Sequence, residues 1–294
     1  MTSPSESGGA EPVFLRLGPA IPTHPVVITV PHAGRDYPPP LLAAARVGTH
    51  ALQALEDRHA DLLIEAAVAG GAVALVARRA RAWIDLNRGE RELDRTMIDP
   101  APPAAQIDET AKVRGGLGLI PRRGPGGAEL WRRGFAPDEV AARIAADHRP
   151  WHGAIESLLA ATRARFGVAV LLDLHSMPPL PPGRLGKPPQ LVTGDRHGRS
   201  AAGWGRGVLA AQARAAGLVH AANTPYAGGE TLARHGRPEA NIHALQLEID
   251  RALYLAPDLR TPGLGLGDMT ALVARMTAAL AAVALGSVQS IAAE

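Results

Sequence analysis

The segment that decides the fold is Val168–Pro178, VAVLLDLHSMP, in which five apolar residues are followed by acidic, imidazole and hydroxyl side chains. Such a run predicts a strand that is covered on both faces, and strands of this kind belong to sheets with helices on either side. In open α/β sheets, ligands bind beyond the carboxyl ends of the strands. The polar residues therefore mark a candidate site, in which Asp173 is available to orient the ring of His175.

Two more apolar runs have polar residues just beyond them. Val26–Val30 precedes PHAG, which contains His32, and Ala72–Ala77 precedes RAWIDLNR at residues 81–88. Polar and apolar residues alternate at the end of RAWIDLNR, as in a strand whose polar side chains face something specific. We also predict strands at Gln190–Thr193 and Ala244–Ile249, and helices from Thr49 to Gly70, over Pro137–Phe166 with a kink at Pro150, over Ser200–Ala216 and over Met269–Ala284.

Strands and helices alternate along the chain, with neither a repeat nor a linker typical of a domain boundary. This order predicts a single α/β domain over residues 12–294, built on a mixed or mainly parallel sheet. Residues 1–11 are polar, and we expect a disordered leader there. Residues 99–135 are rich in Pro, Gly and Arg, which favours a loop able to cover a site.

Composition excludes several classes of function. The net charge of +3 comes from scattered arginines, which argues against a nucleic-acid surface and suits a small anionic substrate. The chain has no cysteine, so any metal must be bound by His and carboxylates. No apolar stretch reaches the roughly 18 residues of a membrane span, and the N-terminus lacks the apolar core of a signal peptide. We therefore expect a cytoplasmic protein without a membrane partner.

The polar residues beyond the strands have the chemical roles that metal-dependent hydrolysis needs. A catalytic zinc takes about three protein ligands and keeps a position open for water. A carboxylate must accept a proton from that water, and a cation must face the developing oxyanion. His32 and His175, the arginines of RAWIDLNR and Glu248 in the strand LQLEI are candidates for these roles. Glu248 is flanked by apolar residues, so its burial requires a partner, either a metal-bound water or Arg251.

Seven motifs in order carry a resemblance: PHAG, ED, RAWIDLNR, LDLHS, TGD, NTPYAGG and ALQLEIDR, from about Val26 to Tyr254. This set resembles the N-formylglutamate amidohydrolases, a family related to the zinc carboxypeptidases and aspartoacylases. The resemblance implies a zinc-carboxypeptidase-like α/β fold, a mixed sheet of about eight strands, and one Zn²⁺ per chain. It implies His32 and His175 as zinc ligands, Arg81 as the group that polarises the scissile carbonyl, Asn87 and Arg88 as carboxylate-binding residues and Glu248 as general base.

One departure concerns the third metal ligand. The related carboxypeptidases have a ligating Glu three residues after the first His, whereas this chain has Arg35. Asp57 is the nearest candidate for the missing carboxylate, with Glu56 beside it as the alternative. Tyr226, in the glycine loop NTPYAGG, and Arg251 complete the candidate substrate contacts.

A second pair of histidines has helical spacing. His148 and His152 are four residues apart, as in the zinc-binding helix of zincins, but no Glu follows the first of them. We expect a structural role for both.

The sequence therefore predicts zinc-dependent hydrolysis of the amide bond of an N-formyl or N-acyl amino acid, with N-formyl-L-glutamate as the leading substrate. The alternatives are a deacylase or carboxypeptidase-like hydrolase for another acidic or peptide substrate, and a non-catalytic relative that binds an anion. The oligomeric state stays open.

Overall fold

The computed structural model describes residues 12–181 and 187–292. The predicted leader at residues 1–11 and part of the proline-rich stretch after Pro178 lie outside the described residues. Within them, one sheet of seven strands runs through the molecule. The strands are β1 Phe14–Leu17, β2 Val26–Val30, β3 Val73–Ala77, β4 Ala169–Met177, β5 Leu191–Gly194, β6 His220–Ala222 and β7 Ile242–Asp250.

The sheet is mixed and mainly parallel. Its strand order is β1-β3-β2-β4-β7-β5-β6. The four central strands β3, β2, β4 and β7 are parallel, whereas β1 and β5 pair antiparallel with β3 and β7. The predicted α/β class is confirmed, with seven strands in the described part of the chain where the resemblance implies about eight. The edge strands β1 and β6 escape sequence prediction because their residues are partly exposed and form no apolar run.

Helices cover both faces of the sheet. In the described residues they are α1 Pro39–Ala44, α2 Thr49–Gln53, α3 Glu65–Ala69, α4 Ala111–Arg114, α5 Pro137–Arg143, α6 Arg149–Phe166, α7 Gly203–Ala215, α8 Glu230–His235 and α9 Leu266–Ala292.

The predicted helix over residues 137–166 is continuous but changes its winding. A π-helical turn, Ile144–His148, joins α5 to α6 just before Pro150. Proline lacks an N–H and its ring crowds the carbonyl four residues earlier, so the helix widens there, close to the predicted kink.

The predicted helix from Thr49 is wrong in its middle. α2 ends at Gln53, and helical winding resumes only after His59, whose φ of 58° is left-handed. Glu56 and Asp57 therefore lie in a break between helices, and both are buried instead of forming a solvated helix face.

Side-chain alternation along β4 divides the core into two layers. Leu172 and Leu174 pack toward α9 and α7, whereas Leu171 packs toward α6. Asp173 and His175 alternate with the leucines, so they face the same side as Leu171 at the carboxyl end of the strand.

The length and composition of α9 correct the expectation that no stretch of the chain is apolar enough to span a membrane. Residues 266–288 of this helix are long and apolar enough to span a membrane by length and composition alone, although 39% of the most apolar window is buried inside the protein. Leu272, Val273 and Met276 on its inner face pack into the core with at most 1% exposure. The inner face of this helix thus covers one face of the sheet.

Candidate active site

A cavity of about 710 Å³ lies at the carboxyl ends of the central strands. Distant parts of the chain meet in its wall, which contains every site residue that the sequence predicted. These residues are His32, Asp57, Arg81, Asn87, Arg88, His175, Tyr226, Glu248 and Arg251.

The pairing of β4 with its neighbours β7 and β2 determines where the side chains at the base of the site lie. β4 and β7 are neighbours, and His175 pairs with Glu248 while Asp173 pairs with Gln246. Because alternate residues of a strand share a face, these four polar side chains form a compact patch. On the other side of β4, Thr29 of β2 pairs with Asp173 and donates a 2.6 Å hydrogen bond to its Oδ1 atom.

Three potential metal-binding atoms converge above this patch. Nδ1 of His32 and Nδ1 of His175 are 3.1 Å apart. Oδ2 of Asp57 lies 3.3 Å from the first nitrogen and 3.1 Å from the second. All three residues are buried, and together they form a group that could bind a metal ion. The three predicted ligands are thus adjacent in the structure.

Carboxylates hold the outer nitrogens of both rings. Nε2 of His32 donates to Oδ1 of Asp85 at 2.7 Å, and Nε2 of His175 donates to Oδ2 of Asp173 at 2.9 Å. An ionised carboxylate can only accept, so each Nε2 carries a proton, and in the neutral form of the rings the Nδ1 lone pairs point toward one another and toward Asp57. Metal-binding histidines have this arrangement, in which an outer carboxylate orients the ring and raises its basicity.

The donor set fits zinc. Ligands of a tetrahedral zinc at about 2.0–2.1 Å lie about 3.3 Å apart, which is close to the distances among these three atoms. Burial opposes protonation of His175, yet the charge and hydrogen bond of Asp173 outweigh it and raise its pKa well above the usual value. The site thus favours positive charge at the point where the three atoms meet, and a divalent cation supplies such charge.

Asp57 is held by several contacts. Its backbone N–H donates to the carbonyl of His32 at 2.9 Å, which ties the two segments together. Ser176 Oγ and Arg251 Nη2 each donate to Oδ1 of Asp57 at 3.1 Å. Burial raises the pKa of Asp57, but the close contacts with His175 and His32 outweigh it and hold the pKa of this carboxyl well below its usual range.

Glu56, the alternative third ligand, is directed elsewhere. Its carboxylate accepts hydrogen bonds from the Tyr37 hydroxyl and from Nη1 of Arg58. Asp57, not Glu56, therefore faces the two histidines.

A close backbone approach explains the glycine of PHAG. Gly34 follows the loop that carries His32, and a Cβ atom at this position would lie 2.0 Å from the carbonyl oxygen of Arg79. Any side chain would separate this loop from the segment after β3.

Glu248 lines the cavity next to His175, and no guanidinium of the described residues forms an ion pair with it. Gln246 Nε2 donates to its Oε1 atom at 3.0 Å. Arg251, one of its two expected partners, instead donates to Ser176 Oγ, the Glu56 carbonyl and Asp57. Burial raises the pKa of Glu248 to about 7, with the Asp57 charge adding to the effect and His175 opposing it.

Arg81 and Asp85 form a buried pair at the wall of the cavity. Arg81 donates through Nε at 2.9 Å and through Nη2 at 2.8 Å to Oδ2 of Asp85, whose other oxygen accepts from His32. Burial raises the pKa of Asp85, but Arg81, Arg88 and His32 outweigh it and hold the carboxyl well below its usual range. A single carboxylate thus positions both a candidate ligand and a candidate catalytic cation.

Residues 81–88 are a series of turns, which corrects the predicted strand. Arg88 donates from Nε to the carbonyl of Leu117 at 2.8 Å and from Nη1 to the carbonyl of Asn87 at 2.6 Å. Its remaining Nη2 lies 3.8 Å from Asp85 Oδ2. Only part of the guanidinium predicted to bind a carboxylate is therefore available to a substrate.

Asn87 is fixed from the side of α8. Its Oδ1 accepts from the backbone N–H of Thr231 at 3.0 Å, and its Nδ2 lies 3.2 Å from Nε2 of His175. A Cβ atom at position 229 would lie 2.4 Å from Oδ1 of Asn87, so the second glycine of NTPYAGG is needed for this contact.

The TGD and NTPYAGG motifs support the segment that carries Tyr226. Asn223 Oδ1 accepts from the backbone N–H of Asp195 at 3.0 Å, and Asn223 Nδ2 donates to Oδ1 of Asp195 at 2.8 Å. Tyr226 then reaches the cavity wall, partly buried.

Three residues of the site, Asp85, Ser176 and Lys112, were assigned no role from the sequence. Asp85 has a detectable signal, because a histidine ligand requires a carboxylate or carbonyl on its outer nitrogen and Asp85 lies within RAWIDLNR. Ser176, which follows His175, lines the cavity, donates to Asp57 and accepts from Arg251. Lys112 lines the cavity from α4, and no pattern in the sequence marks it.

Comparison with known proteins agrees with this geometry. The N-formylglutamate amidohydrolase family matches residues 24–255. The chain belongs to this family. The curated N-formylglutamate deformylases of Pseudomonas aeruginosa and Pseudomonas putida are 32% and 31% identical to it over 242 residues, which cover 79% of this chain and 82% of each relative.

Solved structures share the fold. An N-formylglutamate amidohydrolase from Ralstonia eutropha JMP134 superposes with a TM-score of 0.81 at 29% identity, over 92% of this chain and 96% of that one. A gene product of Agrobacterium tumefaciens, Atu2144, aligns over 95% of this chain and 96% of its own with a TM-score of 0.59 at 19% identity, a similarity of fold alone. The predicted family and the enzyme class of amidohydrolase are confirmed. Kinship with zinc carboxypeptidases stays an implication of the resemblance.

Proposed function

We propose that this family member hydrolyses N-formyl-L-glutamate to formate and L-glutamate, with Zn²⁺ as cofactor. The observation that carries the proposal is the convergence of His32, His175 and Asp57 beside the buried Glu248. Two relatives named N-formylglutamate deformylase support the choice of substrate. A Zn²⁺ ion bound by the three residues would polarise the formyl carbonyl and make a water molecule more acidic.

Glu248 is the proton-transfer group in this proposal. Its carboxylate accepts a proton from the attacking water and then donates it to the amide nitrogen that leaves as the amine of glutamate. A pKa of about 7 suits both steps, because the group can accept and release a proton near neutral pH. The hydrogen bond from Gln246 fixes the carboxylate for these transfers.

The arginines divide two tasks. Arg81, held by Asp85, faces the oxygen on which negative charge develops during attack on the formyl carbon. Asn87 and the uncommitted edge of Arg88 bind the α-carboxylate of the substrate. Tyr226, which lines the same cavity, contacts the substrate, whereas Arg251 contributes by holding Asp57 more than by touching the substrate.

The proposed setting is cytoplasmic, and the proposed partner is a small anionic N-acyl amino acid.

A purified sample tests the proposal through formate release from a panel of N-formyl amino acids. We expect the highest kcat/KM for N-formyl-L-glutamate, loss of activity after treatment with a chelator, and recovery on addition of Zn²⁺. Absence of formate release from every member of the panel by zinc-loaded protein contradicts the proposed reaction. Full activity in metal-free protein contradicts the cofactor.

A further inference from the structure

Five Arg and Lys side chains line the cavity in the described part of the chain, and four of them have hydrogen-bond partners within the protein. Arg81 bonds to Asp85, Arg88 to two backbone carbonyls, Arg123 to Glu129 and Arg251 to Asp57. The fifth, the ammonium of Lys112, forms no hydrogen bond or ion pair with any described residue. A cation that faces a cavity without a protein partner is available to bind an anion from solution.

The local fold directs Lys112 toward the cavity. α4 is a single turn that begins at Thr110, whose hydroxyl accepts from the N–H of Val113 at 3.3 Å and donates to Glu92 at 2.9 Å. Val113 is buried with 3% exposure and anchors the turn. Lys112 precedes it, remains exposed and lines the cavity.

A short backbone bridge links Lys112 to the predicted carboxylate-binding arginine. The N–H of Leu117 donates to the carbonyl of Lys112 at 2.8 Å, and the carbonyl of Leu117 accepts from Nε of Arg88 at 2.8 Å. The backbone of Lys112 and the guanidinium of Arg88 are therefore attached to the same segment of the wall. Two positive groups that line one cavity match a ligand with two negative groups better than one with a single charge.

Electrostatics agree with this arrangement. Partial desolvation in the wall, together with the positive charges of Arg88 and Arg81, lowers the pKa of Lys112 to about 8, while Asp85 and Glu248 oppose the shift. Mutual repulsion of the cations is relieved when an anion binds between them. An added negative charge would thus stabilise the protonated lysine.

We propose that Lys112 binds the side-chain carboxylate of a dicarboxylic N-formyl amino acid, while Arg88 and Asn87 bind its α-carboxylate. The inference rests on the proposed function and extends it, because it names the residue that distinguishes an acidic from a neutral substrate side chain. An ammonium acts as a point charge with three donors and needs no bidentate geometry, which suits the end of a flexible glutamate side chain.

Lys112→Met tests the assignment with a matched pair of substrates. N-formyl-L-glutamine has nearly the shape of N-formyl-L-glutamate but lacks the side-chain charge. We expect the variant to lose roughly 10- to 100-fold of the preference for glutamate, mainly through KM, as for a lost hydrogen bond between charged groups. Equal losses for both substrates, or an unchanged preference, overturn the assignment. Lys187→Met is the control, since Lys187 is the other lysine of the chain, is exposed and lies outside the cavity wall.

A binding measurement separates this inference from the proposed reaction. Titration calorimetry with glutarate and its monoamide requires no hydrolysis. If no N-formyl amino acid is cleaved, the proposed function fails. Weaker glutarate binding by Lys112→Met than by Lys187→Met would still support Lys112 as the residue that binds a second carboxylate. Identical glutarate affinities in the two variants contradict it.

Chemical labelling gives an independent readout. The lowered pKa of Lys112 leaves more of it deprotonated at pH 8 than an ordinary lysine, so we expect it to acetylate faster. We expect glutarate to protect Lys112 from acetic anhydride and to leave Lys187 unprotected, as measured by peptide mass spectrometry. Equal labelling of Lys112 with and without saturating glutarate counts against the proposed contact.

Discussion

Two clusters of buried histidines lie in this protein, and only one has the features of a metal site. In the first, His32 and His175 place their outer nitrogens on carboxylates and direct their inner nitrogens toward Asp57.

In the second cluster, His148 donates to the carbonyl of Arg88 at 2.8 Å. His152 donates to the carbonyl of Leu86 at 3.0 Å and contacts His235 at 2.9 Å.

The partner of the outer nitrogen makes the difference. A carboxylate favours positive charge on the ring or a cation bound to it, and the pKa of His175 is accordingly raised. In the second cluster burial dominates, lowering the pKa of His152 to about 2 and that of His235 to about 4. These rings stay neutral and hold the backbone on either side of Asn87. Buried imidazoles can thus bind a metal or fix a backbone segment, depending on whether their outer nitrogens contact a charged carboxylate or a neutral backbone carbonyl.

The largest effect should follow from removing a ligand of the first cluster. We expect His175→Ala to lose bound zinc and to lower turnover by roughly 10³-fold or more, since the metal accounts for several kcal/mol of transition-state stabilisation. Metal analysis by mass spectrometry and formate release measure the two losses. His148→Gln, from the second cluster, should retain the metal. Full zinc content in His175→Ala would remove this residue from the ligand set.

Glu248→Gln should separate metal binding from proton transfer. The amide has almost the same shape but cannot accept a proton, so we expect turnover to fall roughly 10²- to 10⁴-fold. Zinc content and thermal stability should stay close to those of the wild type. Near-normal turnover would exclude Glu248 as the base.

The outer carboxylates offer a direct test of the comparison. Asp85→Asn and Asp173→Asn retain the shape of the contact but remove its charge, and we expect zinc affinity to fall roughly 10- to 100-fold in each. Competition with a chromophoric chelator measures this affinity. Asp85→Asn should also lower kcat in zinc-saturated protein, because Arg81 loses its partner. Affinities equal to the wild type would mean that the carboxylates do not distinguish the two clusters.

The smallest effect is expected in the second cluster. His152→Phe removes the donor to Leu86 and the contact with His235, and leaving such buried groups unpaired costs about 1–3 kcal/mol. We expect a lower free energy of unfolding in urea together with unchanged zinc content. If the variant instead loses zinc at full stability, the assignment of this cluster to structure is wrong.

Much of this site could be predicted from the sequence because several of its residues lie at or near the ends of strands. His32, His175 and Glu248 each follow or end an apolar run, and the ends of parallel strands meet at one edge of a sheet. The structural role of His148 and His152 also agrees with their spacing and the lack of a following Glu. Asp57 was harder, since its position depends on a helix break after Gln53 that the apolar spacing conceals.

The sequence by itself determined the fold class, the polar residues at the carboxyl ends of the strands and the family. These properties follow from local periodicity and from the order of motifs along one chain. Only the tertiary structure decided which groups touch: Asp85 contacts both His32 and Arg81, Arg251 contacts Asp57 instead of Glu248, and the Lys112 ammonium has no partner among the described residues. Such pairings depend on strand order and on loops that cross from separate parts of the chain, and local sequence patterns contain no information about those distances.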